Sequence, residues 1–231
     1  TSGGPLFASV VPTMVQRLVS AALALPDVTL LVGGAPLEPG LREGAERLGA
    51  RVVTTYGLTE TSGGIAYDGI PFPETEVRFT QDGGVELRGP TVMSGFRHDG
   101  QATAKAFTID GWLRTGDLGA IDADGRLVIA GRSDDLIRTG AEKVWPQEVE
   151  RAIADHPKVA DVAVAGSPDP EWGQHVTAFV VPATIDDPPT LRELQTHVDG
   201  RLARFKFPRE LTLCAEIPRT VSGKVRRRGL G

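Results

Sequence analysis

The chain has 231 residues, of which 40 % are hydrophobic and 24 % charged, with a formal net charge of −5. That mixture excludes a disordered chain and suffices for one large domain or two small ones. The acidic balance argues against general nucleic-acid binding, and a single cysteine, Cys214, excludes an internal disulfide and suits a reducing, cytoplasmic setting.

In chain order, residues 10–25 read as a helix, because Val15, Leu18, Val19, Ala22 and Leu23 recur at helical spacing. Residues 28–32 form a short apolar run that fits a buried strand. It ends in Gly33-Gly34-Ala35-Pro36. Residues 39–48 read as a second helix and 51–54 as a second strand, a rhythm that predicts a parallel sheet unit. In such units ligands sit at the C-terminal ends of the strands. From Glu74 the pattern changes to short strands at 75–79, 85–88, 112–114 and 126–130. Asp82-Gly83, Asp110-Gly111 and Asp124-Gly125 supply turns between them, so a small antiparallel barrel or sheet is expected. After Arg132 a third pattern follows. It has helices at 146–154, opened by a proline, and at 191–202, and strands at 159–165, 175–181 and 210–213. The domain boundary is placed near 133–135, giving domains 1–133 and 134–231. No run of about 18 apolar residues and no signal-peptide pattern occurs, so no membrane insertion is expected.

Five stretches carry candidate chemistry. Gly33-Gly34-Ala35-Pro36-Leu37 by itself reads as a strand-to-helix turn; the functional alternative is close backbone approach to a flat ligand or phosphate. Thr54-Thr55-Tyr56-Gly57-Leu58-Thr59-Glu60-Thr61 offers hydroxyls for phosphate oxygens and a carboxylate for Mg²⁺, or simply a strand end and helix cap. In 111–118, Asp117 is either a turn residue or an acceptor for two ribose hydroxyls. The charged stretch 131–144 is either an interdomain loop or a hinge followed by a ligand-facing strand. The last, Pro218-Arg219-Thr220-Val221-Ser222-Gly223-Lys224-Val225-Arg226, is either a basic tail or a loop that delivers the Lys224 ammonium. The four histidines are dispersed and show no metal-ligand spacing with Cys214.

Taken jointly, in this order and at these distances, the five stretches resemble the adenylate-forming family of acyl-CoA synthetases, luciferases and peptide-synthetase adenylation domains. The likeness runs from about Phe7 onward. It implies an α/β plus α+β fold: the C-terminal part of a large adenylate-forming domain, with a parallel sheet unit and a small β-barrel, then a small mobile α+β domain. It also implies roles. Gly34, Ala35 and Pro36 would line the adenine, with Tyr56 and Gly57 beside the nucleotide. Thr59 would bond the α-phosphate and Glu60 would hold Mg²⁺. Asp117 would accept from the ribose, with Arg132 nearby. Asp134 would be the hinge, Lys224 the catalytic lysine of adenylation, and Gly140 part of the CoA-binding face.

The implied reaction is ATP-dependent activation of a carboxylic acid to an acyl-adenylate, followed by transfer to CoA. Ser62-Gly63-Gly64-Ile65-Ala66-Tyr67-Asp68-Gly69 resembles the o-succinylbenzoate–CoA ligases of menaquinone biosynthesis, in which small residues at Ser62, Gly63 and Gly64 would make room for the aromatic acid. Two alternatives stay open. One is another aryl- or fatty-acyl-CoA ligase, or an adenylation domain that loads a carrier protein. The other is a non-catalytic fragment, because the family's phosphate-binding loop is missing apart from a stump at Thr1-Ser2-Gly3. The chain is therefore expected to be part of a longer enzyme. Oligomeric state is not readable.

Overall fold

A computed structural model describes residues 4–220 and 223–230. The stump at Thr1-Ser2-Gly3 and the pair Val221-Ser222 in the lysine loop lie outside the described residues. The chain divides into two compact units, one through Ala130 and one from Gly131. Sequence reasoning placed that division at 133/134.

The first unit opens with three parallel strands, β1 (Leu6–Val10), β2 (Val28–Val32) and β3 (Arg51–Leu58), in spatial order. Helices α1 (Pro12–Ser20) and α2 (Pro39–Arg47) connect them. Each has a proline at its first turn, where a missing N–H costs nothing. Val10, Val15, Leu30, Val32, Ala45 and Val52 are buried together between the sheet and these helices. Burial of each large aliphatic side chain contributes about 1.5–3 kcal/mol.

Two expectations need correction here. Residues 6–10 are a strand, with Val10 opposite Val32, so the helix starts later than expected. It also ends at Ser20 and not near residue 25. Ala22 takes a left-handed backbone (φ 48°), and Leu25 turns inward to donate to the Leu48 carbonyl at 2.7 Å.

The sheet continues antiparallel through β4 (Gly63–Tyr67) and β5 (Ile70–Pro71). Neither was expected from sequence. Asp68, in the turn between them, ties the pieces together. One of its carboxylate oxygens accepts from Arg42 at 2.7 Å, the Thr54 N–H at 2.9 Å and the Thr54 hydroxyl at 3.0 Å.

A second sheet follows in the order β6 (Glu76–Phe79), β7 (Gly84–Arg88), β8 (Leu113–Ile121) and β9 (Leu127–Arg132). The Asp-Gly turns fall where sequence placed them, with Gly83, Gly111 and Gly125 all at positive φ. Trp112 is buried between the guanidinium groups of Arg78 and Arg88, 4.4 and 4.5 Å from its ring. The short helix α3 (Gly100–Ala106), also unexpected, is held by the Asp99 carboxylate, which accepts from the Ala102 N–H at 2.8 Å.

The second unit is an α+β sandwich. A long antiparallel pair, β12 (Val159–Asp169) and β13 (Gly173–Pro182), is flanked by β10 (Ile137–Thr139), β11 (Glu142–Val144) and β14 (Glu210–Leu213). Alternation along β12 sends Val162 and Val164 to one face and Ala163 to the other. The first face packs on α4 (Pro146–Ile153) and α5 (Leu191–Val198) through Val149, Ile153, Leu194 and Val198. The second is covered by Ile217 and Leu230 near the chain's end. Helix α5 starts at a reciprocal cap between Thr190 and Glu193. It stops at Val198, short of the expected 202, where Gly200 turns the chain at φ 78°.

Candidate active site

In the first unit, β2 and β3 lie side by side in parallel register, Val32 opposite Thr54. Both of their following segments therefore emerge at one end of the sheet. One is Gly33-Gly34-Ala35-Pro36, where Gly34, Ala35 and Pro36 are exposed. The other is the end of β3 with Tyr56 and Gly57, then a 3₁₀ turn Thr59–Thr61 carrying Glu60. Thr59 is exposed and Glu60 half-buried.

That turn is built rigidly. Thr61 is 1 % exposed, and its hydroxyl accepts from the Leu58 N–H at 2.9 Å. The same oxygen lies 2.8 Å from the Gly63 carbonyl and 3.0 Å from that of Leu58, and its one proton is donated to one of the two. Met93 N–H donates to the Glu60 carbonyl at 2.8 Å. Ser62 then takes a left-handed conformation (φ 58°), and Gly63 (φ 119°) and Gly64 open β4. Only glycine fits at position 57, because a Cβ there would overlap the Gly63 backbone carbonyl.

Asp117, on β8, reaches the same region. It is 5 % exposed, and its Oδ2 accepts from the Tyr56 hydroxyl at 2.6 Å. Sequence reasoning singled out both residues without pairing them. The structure thus brings together Tyr56, Gly57, Thr59, Glu60, Ser62, Gly63 and Gly64 on one strand–turn–strand unit, with Asp117 joined through Tyr56. A lone carboxylate beside hydroxyls fits Mg²⁺, which keeps several waters and takes few protein ligands. Among the described residues no cluster of three or more His, Cys, Asp or Glu could hold a metal alone.

In the second unit, Arg132 and Asp134 are exposed, and Asp134 lies in a 3₁₀ turn, Ser133–Asp135. Gly140 (φ 60°) makes the turn between β10 and β11. Its N–H donates to the Trp172 carbonyl at 2.8 Å, and a Cβ on it would press against the Trp172 ring. Sequence reasoning gave Trp172 and Asp169 no role. The Asp169 carboxylate accepts from the N–H groups of Trp172 (2.8 Å) and Glu171 (2.9 Å) and faces His175 at 3.3 Å. Those bonds, the one from Trp172 foremost, hold the Asp169 carboxyl below its ordinary range. The signal was an aspartate two and three residues before the N–H groups it caps, an Asx turn. Lys224 is exposed on a short hairpin in which Arg219 and Val225 pair.

Residues 3–96 match the AMP-binding enzyme family, and residues 148–224 match the AMP-binding enzyme C-terminal domain. The chain belongs to the AMP-binding enzymes. It is 36 % identical over 238 residues to a 2-succinylbenzoate–CoA ligase of Listeria innocua, covering 96 % of this chain and 50 % of the relative. It is 38 % identical over 225 residues to a probable 2-succinylbenzoate–CoA ligase of Mycobacterium tuberculosis, covering 96 % and 58 %. The o-succinylbenzoate CoA synthetase of Bacillus subtilis, solved with its acyl-adenylate intermediate, superposes on 97 % of this chain and 50 % of its own, at 30 % identity and a TM-score of 0.87. The same enzyme solved with ATP and magnesium gives 0.86, at 30 % identity over 97 % of this chain and 51 % of its own. The adenylate-forming fold expected from sequence is thereby established. The chain spans about half the length of the relatives it matches. Among the described residues no helix is long and apolar enough to cross a membrane.

Proposed function

We propose that this chain provides the nucleotide-facing turn and the lysine-bearing domain of an AMP-forming acid–CoA ligase whose acid is o-succinylbenzoate. The observation that carries the proposal is the locked Thr59–Glu60–Thr61 turn at the parallel strand ends, with Asp117 tethered beside it by Tyr56. Gly34, Ala35 and Pro36 present exposed backbone to the adenine, and Asp117 accepts from the ribose. Thr59 donates to the α-phosphate. Bound at Glu60, Mg²⁺ supplies Lewis-acid stabilisation of phosphate charge.

In the first step a substrate carboxylate oxygen attacks the α-phosphorus, and the bond to pyrophosphate breaks. Negative charge accumulates on the phosphate oxygens, and the Lys224 ammonium neutralises it. In the second step the CoA sulfur attacks the acyl carbonyl, AMP leaves and the thiol proton passes to solvent. The reading assigns residues 134–231 as a mobile domain that turns about Asp134 between the steps, so that Lys224 serves the first and the Gly140 face the second. Ser62, Gly63 and Gly64 leave space for an aromatic acid. The supply of ATP and CoA fits a cytoplasmic setting.

The test is an acid panel. With ATP and Mg²⁺, o-succinylbenzoate is expected to release pyrophosphate and, with CoA, to give the thioester, whereas benzoate and a fatty acid are not. Release with another acid alone would overturn the substrate, and thioester on a carrier protein but not on free CoA would overturn the acceptor.

A further inference from the structure

Among the described residues, the Lys224 hairpin carries several backbone bonds within itself. Thr220 N–H donates to the Lys224 carbonyl at 2.8 Å, Lys224 N–H to the Thr220 hydroxyl at 3.1 Å, and Arg226 N–H to the Pro218 carbonyl at 2.8 Å. Those bonds fix its shape and not its direction. A two-stranded hairpin is marginal by itself; Val225 packs it against the apolar cluster of Ala163, Phe179, Ile217 and Leu230, and polar contacts at its two ends add to that hold.

The incoming end is pinned by Arg219, whose guanidinium spans both oxygens of Asp161 at 2.7 and 3.0 Å and reaches the Gly223 carbonyl at 3.1 Å. Both side chains of that pair are more than a third exposed, which makes it a weak clamp.

The outgoing end is different. Arg227 donates to Glu150 of α4 at 2.6 Å and to the Val164 carbonyl of β12 at 3.1 Å, and its third nitrogen lies 3.5 Å from Asp135. Its side chain is 13 % exposed and that of Glu150 is 16 % exposed. Glu150 also accepts from the Val164 N–H at 2.8 Å. Strand β12 ends its sheet, so Val164 offers N–H and C=O to the open edge. Arg227 and Glu150 satisfy both, standing in for a neighbouring strand. One guanidinium therefore joins the lysine hairpin, the sheet edge, α4 and the turn that carries Asp134.

We propose that Arg227 is a positioning residue for Lys224, fixing the outgoing end of its hairpin to the body of the second unit so that the ammonium and the hinge turn move together. The proposal rests on the assignment of Lys224 to adenylation. A lysine at 227 keeps the charge but cannot make the three-way fork.

The test compares wild type with Arg227→Gln, Arg227→Lys and Glu150→Gln. By amide hydrogen exchange, the N–H groups of Thr220, Gly223, Lys224 and Arg226 are expected to exchange about tenfold faster in both Arg227 variants, with those of α4 and α5 unchanged. Glu150→Gln keeps Arg227 and carries the test if the Arg227 variants fail to fold; faster hairpin exchange is expected there too. In activity, Arg227→Gln and Arg227→Lys are expected to lose about tenfold in ATP–pyrophosphate exchange, while thioester formation from supplied acyl-adenylate stays within about twofold. Hairpin exchange equal to wild type, acceleration spread over the whole second unit, or equal loss in both half-reactions would overturn the proposal. If wild type shows no Lys224-dependent turnover, the functional reading fails, and the amide exchange still decides whether Arg227 anchors the hairpin.

Discussion

The two candidate catalytic segments are held by different forces. The Thr59–Thr61 turn is locked by a buried hydroxyl, a glycine packed against backbone and neutral main-chain bonds. The Lys224 hairpin is held at both ends by arginine–carboxylate pairs. Neutral buried bonds are indifferent to salt and pH, whereas charge pairs respond to both. The difference teaches that the Thr59–Thr61 turn is a fixed template, and that Lys224 is carried on an element whose end tethers are ionic.

The harshest way to break that comparison is at Gly57. Gly57→Ala forces a methyl into the Gly63 carbonyl, where no flexible side chain can yield. A loss of about 3 kcal/mol or a failure to fold is expected, read by thermal or denaturant unfolding. Thr61→Val keeps the shape and removes the hydroxyl that the Leu58 N–H and the Gly63 carbonyl share. A loss of about 1–3 kcal/mol is expected, concentrated in the first unit.

The smallest effect concerns acid. Burial pushes the Asp68 carboxyl up, but bonds from the Thr54 N–H, Arg42 and the Thr54 hydroxyl outweigh it and hold the group below its ordinary value. Its contribution is therefore fully present above the unfolded value, about 3.9, and is lost as pH falls below that through the depressed folded value. Asp68→Asn is expected to flatten the fall in unfolding temperature below about pH 4. An identical acid profile for the variant would remove Asp68 from the account.

Much of this architecture was legible in the sequence, because short apolar runs with clear boundaries leave little choice. Residues 28–32 and 210–213 are strands with the bounds expected. What escaped did so for physical reasons. Strand β1 runs directly into α1, so Val10 satisfied both periodicities, and its parallel partner decided it. Helix α3 buries no residue and is specified by its Asp99 cap and not by an apolar face. Gly63-Gly64 has no side chains to show a strand's alternation, yet both residues pair with β3 as a strand. In the site, Thr59, Glu60 and Lys224 were marked by local residue order. The bond from Tyr56 to Asp117 joins residues 61 apart, and that distance has no local signature. The Arg227 fork, which spans contacts 63, 77 and 92 residues away, was hidden for the same reason.

The most direct test of the central claim is ATP–pyrophosphate exchange with o-succinylbenzoate after Lys224→Ala. The residue is exposed, so unfolding temperature should be unchanged. Exchange is expected to fall by at least about 100-fold, while CoA transfer from supplied acyl-adenylate survives. Undiminished exchange in the variant would contradict the account.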